Sequence, residues 1–565
     1  MIENFWKDKY PAGVPSEIDP DLYPNLLAVL KTACQRFADK PAFSNLGETL
    51  SYGELYRRSG AFAAYLQGLD DLRPGDRIAI QLPNLLQFPV AVFGALRAGL
   101  VVVNTNPLYT EREMLQQFND AGARALICLA NKADLVEAVL PRTGIRHVIV
   151  SEIGDLLSPI RRLMVNAVVR YVKHLVPEYH LPQAVKFTDA LAHGKHLPLR
   201  EVDPPSSEVA VLQYTGGTTG IAKGAMLIHR NLVANMLQCQ VMIAAGLGEG
   251  CETVITPLPL YHIYAFTFHC LAMLVTGNHN VLITNPRDLP EMIEELKRWK
   301  FTCFVGLNTL FAALCNNEEF RRLDFSALKL TLSGGMALQL ATAERWRDIT
   351  GCSVCEGYGL TEASPVVSVN PFRHYRTGTI GMPMPSTVCK VLDEQGNEPP
   401  FGSPGELCVK GPQVMKGYWQ NPEATAAVLD ADGWLKTGDI AVIQEDGYIR
   451  LVDRKKDMIL VSGFNVFPNE LEEVLSTLPG VAQCAAIGVP DRLSGEAIKL
   501  LVVAEPGAHL TKEDVRRHMR ANLVGYKRPK YVEFRDSLPT SNVGKILRRE
   551  LREEELRKIG GQRTA

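Results

Sequence analysis

The sequence predicts an α/β protein with a large N-terminal domain of βαβ units, a small β-rich subdomain, and a smaller α+β C-terminal domain. Three observations lead to this fold class. The chain has 565 residues, which is too long for one hydrophobic core. Apolar residues make up 46% of it and charged residues 22%, as is typical of globular proteins. Its N-terminal part alternates helical and strand-like segments, whereas beyond about Val388 short strands alternate with Gly-rich turns.

The first elements follow one another in the order that parallel βαβ units require. The patterns predict helices over residues 25–37 and 86–98, and strands over residues 77–82, 99–103, 125–128, 147–150, 209–212 and 328–332. In the β-rich part, short strands are predicted over residues 405–410 and 447–452. We expect one domain over residues 1–453 and a second over residues 454–565.

Charge and cysteine content exclude several classes of protein. Sixty Lys and Arg against 62 Asp and Glu give a formal net charge of −2, which argues against a dedicated nucleic-acid binder. The N-terminus lacks a signal-peptide pattern, so the 12 scattered cysteines are expected to be reduced thiols in a cytoplasm. Residues 253–286 carry no charge, but Pro257 and Pro259 interrupt them. A deep core or an apolar ligand cavity is therefore predicted there, and a membrane-spanning helix is not.

Residues 156–176 form a distinct amphipathic segment. At helical spacing its apolar arc comprises Ile160, Leu163, Met164, Ala167, Val168, Tyr171, Val172 and Leu175. Arg162, Arg170, Lys173 and Asn166 fall on the other side, although Arg161 interrupts the arc near its start, and no acid occurs between Ser158 and Val176. The composition fits an interfacial helix on an anionic membrane, at the inner face of the cytoplasmic membrane. An ordinary docked helix with a solvated basic face explains the pattern as well.

The strongest local motif is a strand followed by a loop rich in glycine and hydroxyl groups. Glycines allow tight turns that bring backbone N–H groups near an anion, and the hydroxyls and a lysine add donors for phosphate oxygens. It is not a Walker A loop, because Gly224 follows the lysine. The candidate phosphate-binding residues are Tyr214, Thr215, Gly216, Gly217, Thr218, Thr219, Gly220 and Lys223.

Further polar clusters follow along the chain. Gly334 lies in a Ser-Gly-Gly turn after a predicted strand, and Glu362 is a hard oxygen ligand suited to Mg²⁺, although it could also be a helix N-terminal acid. Asp439 can accept hydrogen bonds from ribose hydroxyls. Near the chain end, a loop delivers Lys545. The remaining candidates in these clusters are Gly357, Tyr358, Gly359, Thr361 and Arg454.

Taken together and in this order, the motifs resemble the acyl-adenylate-forming superfamily of acyl-CoA synthetases, luciferases and peptide-synthetase adenylation domains. The resemblance extends from Thr49 to Lys545. Residues 432–439 and 451–457 are similar to the signature of fatty acyl-CoA synthetases. The opening motifs, among them Pro83-Asn84-Leu85 and Asn106-Pro107-Leu108, resemble bacterial long-chain-fatty-acid–CoA ligases.

The resemblance implies a two-step reaction in which a fatty carboxylate attacks MgATP and coenzyme A then displaces AMP from the acyl-adenylate. It implies that the Thr215–Lys223 loop holds the β- and γ-phosphates and that Glu362 holds Mg²⁺. Tyr358 would stack on adenine near Gly334. By position, Thr361 would contact the α-phosphate, Asp439 and Arg454 would bind the ribose, and Lys545 would act in adenylation. The resemblance also implies a mobile C-terminal domain with a hinge at Lys456. Ser462 and Gly463 would bind coenzyme A.

The acyl chain needs a dry site, and the uncharged stretch 253–286 is the sequence's best candidate. His262, Phe266 and Gly306 are the residues assigned to it. The sequence leaves alternatives open: an aryl-CoA ligase, an adenylation enzyme of a peptide synthetase, or a peripheral lipid-binding protein without enzymatic activity. A homodimer is also left open, and chain-length preference cannot be derived from these patterns.

Overall fold

The computed structural model describes residues 5–215, 222–541 and 545–561. The 18 helices of the described residues are α1 Leu26–Arg36, α2 Tyr52–Gln67, α3 Gln87–Arg97, α4 Glu111–Ala121, α5 Ala133–Val139, α6 Pro159–Ala167, α7 Phe187–Gly194, α8 His229–Ile243, α9 Ile263–Ala265, α10 Met273–Val275, α11 Leu289–Leu296, α12 Asn308–Cys315, α13 Glu318–Arg321, α14 Leu340–Thr350, α15 Pro422–Val428, α16 Pro468–Ser476, α17 Lys512–Asn522 and α18 Arg548–Gly561. Among these residues, no helix combines the length and apolar character needed to cross a membrane.

Two large sheets form the N-terminal part. The nine-stranded sheet has the order β16-β15-β14-β13-β12-β10-β11-β1-β2, and the seven-stranded sheet has the order β7-β6-β5-β3-β4-β8-β9. The strands are β1 Pro41–Asn45, β2 Glu48–Ser51, β3 Arg77–Gln81, β4 Val101–Asn104, β5 Ala123–Leu129, β6 His147–Ser151, β7 Val185–Lys186, β8 Val209–Thr215, β9 Lys223–Ile228, β10 Thr253–Thr256, β11 His279–Leu282, β12 Cys303–Gly306, β13 Leu330–Ser333, β14 Val354–Gly359, β15 Val366–Val369 and β16 Met382–Pro383.

Most neighbouring strands of these two sheets are parallel, as the βαβ pattern predicted. Asn25 caps α1, because its side chain accepts hydrogen bonds from the backbone N–H groups of Leu27 and Ala28. The largest buried apolar cluster contains Phe43 of one sheet and Ile78 of the other. One core therefore supports both sheets and the loops at their edges.

Two smaller sheets complete the fold. The antiparallel order β17-β18-β19-β20 is the predicted β-rich subdomain, and the C-terminal sheet has the order β22-β21-β24-β23 with β25 beside β24. Their strands are β17 Val388–Leu392, β18 Pro404–Lys410, β19 Leu435–Ile443, β20 Ile449–Arg454, β21 Ile459–Val461, β22 Phe464–Val466, β23 Val481–Asp491, β24 Gly495–Ala504 and β25 Tyr531–Phe534. Strand β20 ends at Arg454, and β21 belongs to another sheet. The boundary at residues 453 and 454 stays a prediction.

Candidate active site

The predicted phosphate loop joins two antiparallel strands at one edge of the seven-stranded sheet. Thr215 ends β8 and pairs with Lys223, the first residue of β9, and both line a cavity of about 480 Å³. Gly216, Gly217, Thr218, Thr219 and Gly220 lie outside the described residues. The strand pairing therefore presents the two ends of the loop to the cavity.

Tyr214, one residue before this pair, has a different position. Its hydroxyl donates to Asp120 Oδ2 at 2.5 Å, and burial together with that carboxylate raises the pKa of the phenol. Successive side chains of a strand point to opposite faces, so Tyr214 turns away when Thr215 faces the cavity. The structure supports a packing role for Tyr214, and the ring does not line the cavity.

Glycines cluster at the carboxyl ends of the parallel neighbours β13 and β14. Gly334 follows β13, and a Cβ atom there would lie 3.1 Å from the Tyr264 ring. Gly335 has a φ of +85°, a backbone conformation that residues other than glycine rarely adopt. Gly357 and Gly359 line the same cavity. The close packing explains why small residues occupy this edge of the sheet.

Tyr358, Asp439 and Arg454 form a connected polar group in the cavity wall. The Tyr358 hydroxyl donates to Asp439 Oδ2 at 2.6 Å, and Arg454 Nε lies 3.3 Å from Asp439 Oδ1. Asp439 and Arg454 are opposite each other in the β19–β20 ladder. Burial, followed by the Asp439 carboxylate, raises the pKa of Tyr358. Asp439 and Arg454 lie 81 and 96 positions after Tyr358 in the chain, yet the three side chains form one connected group.

Thr361 and Glu362 follow β14 in a short 3₁₀ turn and both line the cavity. Glu362 Oε1 accepts a hydrogen bond from the Tyr418 hydroxyl at 2.7 Å. Lys223 Nζ lies 5.2 Å from the centroid of the Tyr418 ring, within the range of a cation–π contact. Tyr418 thus joins the candidate metal ligand to the lysine of the phosphate loop. A carboxylate presented in this way fits a Mg²⁺ ion, which prefers oxygen ligands.

Lys545 reaches the same cavity from the C-terminal part of the chain. Burial, reinforced by the positive charge of Arg454, lowers the pKa of its ammonium group to about 8. Burial, with Lys545 as a second cause, lowers the pKa of His262 to about 4. At neutral pH, His262 is therefore an uncharged neighbour of a charged lysine.

The base of the Lys545 segment is tied to the C-terminal domain. The Lys545 backbone N–H donates to Ser541 Oγ at 3.1 Å. Three residues later, the buried Arg548 guanidinium lies 2.6 Å from Glu472 and 3.8 Å from Asp453. Asp453 belongs to β20 of the four-stranded antiparallel sheet and Glu472 to helix α16, so Arg548 connects the Lys545 segment to both elements.

The apolar part of the cavity comes from several elements. It is lined by Cys239, Met242 and Ile243 of α8, by Leu258, Ile263 and Phe268, by Leu307, Leu332 and Met336, and by Val366, Val369, Met384, Val428 and Leu435. His262 and Phe268 belong to the uncharged stretch 253–286, which therefore supplies part of the wall. Helix α8, outside that stretch, supplies another part.

Two of the three residues assigned to acyl binding do not line this cavity. Phe266 begins a π-helical turn, Phe266–Ala272, and its side chain is fully buried in the core. Gly306 ends β12, and a Cβ atom there would lie 2.8 Å from the Phe311 ring. Phe266 and Gly306 are therefore buried in the interior and do not belong to the cavity lining.

Three other candidates lie outside the cavity lining. Ser462 and Gly463 form the exposed turn of the β21–β22 hairpin, with φ values of +51° and +85°. Lys456 lies between β20 and β21, and burial lowers its pKa. Their assigned roles stay predictions.

Sequence reasoning missed Tyr418 and the lining residues of α8. Tyr418 is 56 residues from Glu362, and no local motif marks it. Helix α8 carries a detectable signal, because Leu232, Met236, Cys239 and Met242 are buried and cover a wide arc of the helix. A helix with such a wide apolar arc is expected to pack inside the protein. The pattern does not reveal which of its faces meets the cavity.

Comparison with known proteins gives a consistent family assignment. The family model described as AMP-binding enzyme matches residues 30–419, and the model described as AMP-binding enzyme C-terminal domain matches residues 470–545. The long-chain-fatty-acid–CoA ligase of Escherichia coli O6:H1 is 53% identical over 99% of both chains. The protein of the same name from Yersinia pestis is 54% identical over 99% of both chains.

Solved structures agree with this result. The crystal structure of ATP-bound MatB from Rhodopseudomonas palustris has a TM-score of 0.80 and 29% sequence identity to this chain. The similarity covers 94% of this chain and 99% of that one. The similarity includes the C-terminal domain, which carries Lys545.

Proposed function

This chain belongs to the AMP-binding enzyme family, and from that premise we propose that it activates long- or medium-chain fatty acids to acyl-CoA. The reaction passes through an acyl-adenylate and releases pyrophosphate and AMP. ATP, Mg²⁺ and coenzyme A take part in the family reaction. The observation that carries the proposal is one cavity in which the polar group around Asp439 and Lys545 adjoins an apolar wall.

The polar end of the cavity suits an attack between two anions. A fatty carboxylate and the α-phosphate of ATP repel each other, so cations must offset their charge when they meet. Lys545, Arg454 and Lys223 bring three cationic side chains to the cavity. In the first step a carboxylate oxygen bonds to the α-phosphorus and the bond to pyrophosphate breaks. Lys545 stabilises the negative charge that develops there.

The other residues position the nucleotide. Asp439, fixed by Tyr358 and Arg454, accepts hydrogen bonds from the ribose, and Thr361 contacts the α-phosphate. Glu362 would hold Mg²⁺, which supplies charge neutralisation at the phosphates when bound. The order of the motifs supports these roles, and their common cavity is consistent with them.

The second step requires coenzyme A to reach the acyl-adenylate. Its thiol bonds to the acyl carbon and AMP leaves. The Ser462–Gly463 turn is exposed, and a rotation of the C-terminal domain at Lys456 would bring it to the cavity while withdrawing Lys545. From Thr511 to Ala565 the chain has fifteen Lys and Arg against eight Asp and Glu, which favours the phosphates of coenzyme A.

We further propose that the enzyme is cytoplasmic and makes peripheral contact with an anionic membrane. Long-chain fatty acids partition into bilayers, so contact with lipid brings the enzyme to its substrate. The segment 156–176 is the candidate surface. A homodimer stays an open alternative.

Pyrophosphate release with palmitate, coumarate or amino acids, with and without coenzyme A, tests the proposed function. We expect release with palmitate, and palmitoyl-CoA as the product when coenzyme A is present. Release with coumarate alone would identify an aryl-CoA ligase. Amino-acid-dependent release without thioester formation would identify an adenylation enzyme of the peptide-synthetase type.

A further inference from the structure

Helix α6 and the π-helical turn Val168–Val172 carry an apolar face that no other described part of the protein covers. Seven of the nineteen exposed large hydrophobic side chains of the described residues fall within this short segment. They are Ile160, Leu163, Met164, Val168, Tyr171, Val172 and Leu175, with exposures from 42 to 74%. We call this set the apolar face.

The opposite side of the helix faces the protein and is polar. Asn166 Nδ2 donates to Glu152 Oε2 at 3.0 Å, and Arg170 donates to Glu152 Oε1 at 2.6 Å. The backbone N–H of Gly154 donates to Asn166 Oδ1 at 2.8 Å. Asn166 and Arg170 are four residues apart and share one side of the helix. These contacts hold the helix with its polar side inward.

This orientation is the reverse of an ordinary surface helix, which buries its apolar stripe and exposes its polar one. The sequence left open an ordinary docked helix with a solvated basic face; Arg162 and Lys173 are exposed as that alternative expects, but the apolar arc is exposed as well. Arg170, expected on the free basic face, is instead paired with Glu152. With Asn166 and Arg170 turned toward the protein, the apolar face is in contact with solvent, which indicates a surface that meets a partner.

We propose that the apolar face docks this protein on an anionic lipid bilayer by inserting its side chains below the headgroups. The inference rests on the proposed function, because a fatty-acid substrate places the enzyme's work at a lipid surface. Charge supports this partner: Arg162 and Lys173 are exposed on the same segment, and no acid occurs between Ser158 and Val176. A second copy of the chain is a poorer partner. In a symmetric contact the same cations of the two copies would approach one another, and the segment offers no acidic residue to pair with them.

Insertion of apolar side chains and attraction to charge make different predictions. Binding by charge alone disappears at high salt, because the Debye length falls to about 3 Å at 1 M. Binding by insertion persists there, since apolar burial does not depend on screening. The proposed surface uses both, with insertion as the main contribution and the cations as the source of preference for anionic lipid.

Flotation with vesicles of phosphatidylcholine, alone or mixed with phosphatidylglycerol, tests the proposal at low and high salt. We expect the wild-type protein to bind the mixed vesicles and to remain bound at 1 M salt. The pair Leu163→Gln and Val172→Gln should weaken binding about tenfold or more at both salt concentrations. The pair Arg162→Glu and Lys173→Glu should lower the preference for anionic vesicles, by about fivefold for each basic residue removed near the surface.

A matched control substitutes apolar residues exposed elsewhere. Leu22 is 59% exposed and Leu493 is 93% exposed, so the pair Leu22→Gln and Leu493→Gln removes comparable apolar surface outside the segment and should leave vesicle binding unchanged. Equal binding of the Leu163 and Val172 pair and the wild type would overturn the proposal, as would wild-type protein that fails to bind mixed vesicles. Sedimentation equilibrium without lipid reveals whether the apolar face instead joins two copies, which would also overturn it.

Activity on a water-soluble substrate separates this proposal from the proposed function. Octanoate-dependent pyrophosphate release should be the same in the wild type and in the Leu163 and Val172 pair, which also shows that the variant is folded. If no fatty acid gives pyrophosphate although vesicles bind, the proposed function fails and the docking surface stands. If octanoate is activated but vesicles do not bind, the docking surface alone fails.

Discussion

Lys545→Ala should separate the two half-reactions. The ammonium group of Lys545 lies in the cavity with Asp439 and Arg454, where adenylation would occur, whereas the residues proposed to meet coenzyme A lie outside that cavity. We expect the substitution to cripple acyl-adenylate formation and to spare thioester formation from supplied acyl-AMP, because only the first step uses the positive charge.

The structure gives the magnitude of the effect. Burial and Arg454 lower the pKa of Lys545 from 10.5 to about 8, and one pKa unit corresponds to about 1.4 kcal/mol. Keeping Lys545 charged in the folded protein without a substrate therefore costs about 3 kcal/mol of free energy. Loss of one positioned charge of this kind is expected to slow adenylation roughly 10²–10³-fold, or about 3–4 kcal/mol.

The same argument predicts the effect on stability. A lysine whose folded pKa is lowered destabilises the fold fully below pH 8, and the penalty disappears as the pH rises to 10.5. Lys545→Ala should therefore not lower the melting temperature at pH 7. Lys545→Arg is the matched control: it keeps the charge but replaces a compact ammonium group with a planar guanidinium group, so partial adenylation activity is expected.

The assay measures the two steps apart. Pyrophosphate release from ATP and palmitate without coenzyme A reports adenylation, and acyl-CoA formation from synthetic palmitoyl-AMP reports the second step. Equal loss of both rates in Lys545→Ala would refute the assignment, as would full adenylation activity. A lower melting temperature would indicate that the residue supports the fold.

Three further predictions follow from the site. Glu362→Gln should raise the Mg²⁺ concentration needed for half-maximal adenylation and lower its rate, because the charged ligand is lost while the shape remains; an unchanged Mg²⁺ titration would contradict the metal role. In wild-type protein, kcat/KM for adenylation should fall on the alkaline side with an apparent pKa of about 8, as Lys545 loses its proton, and the fall should be absent from the thioester step; a pH profile that is flat to pH 9.5 would count against it. Ile243→Trp should shift the substrate preference to shorter acyl chains, by about fourfold in kcat/KM for each methylene excluded, since burial of one CH₂ contributes about 0.8 kcal/mol. A substrate series from octanoate to palmitate measures this shift, with octanoate activity as the internal control. An unchanged series would exclude Ile243 from the acyl site.

Local signals predicted the fold class and many of the residues that line the candidate site. Alternating apolar segments predicted the parallel strands, and β3 at Arg77–Gln81 lies within the predicted range 77–82. Gly334 was predicted from the Ser-Gly-Gly turn after a predicted strand and Gly357 from its polar cluster, and both line the cavity. Thr361, Glu362, Asp439 and Lys545 were found from motifs that are short in sequence.

The tertiary structure alone decided how distant side chains meet. Tyr418 bonds Glu362 across 56 residues, and Lys545 reaches Asp439 only through the placement of the C-terminal domain. Phe266 and Gly306 were assigned to the acyl site from the sequence, but in the structure both are buried outside the cavity lining. Periodicity gave the two faces of α6 correctly and could not tell which one is covered, because that depends on Glu152, a partner outside the helix. Helical spacing fixes the angle between side chains, whereas the direction of each face is set by all the neighbours that pack against it.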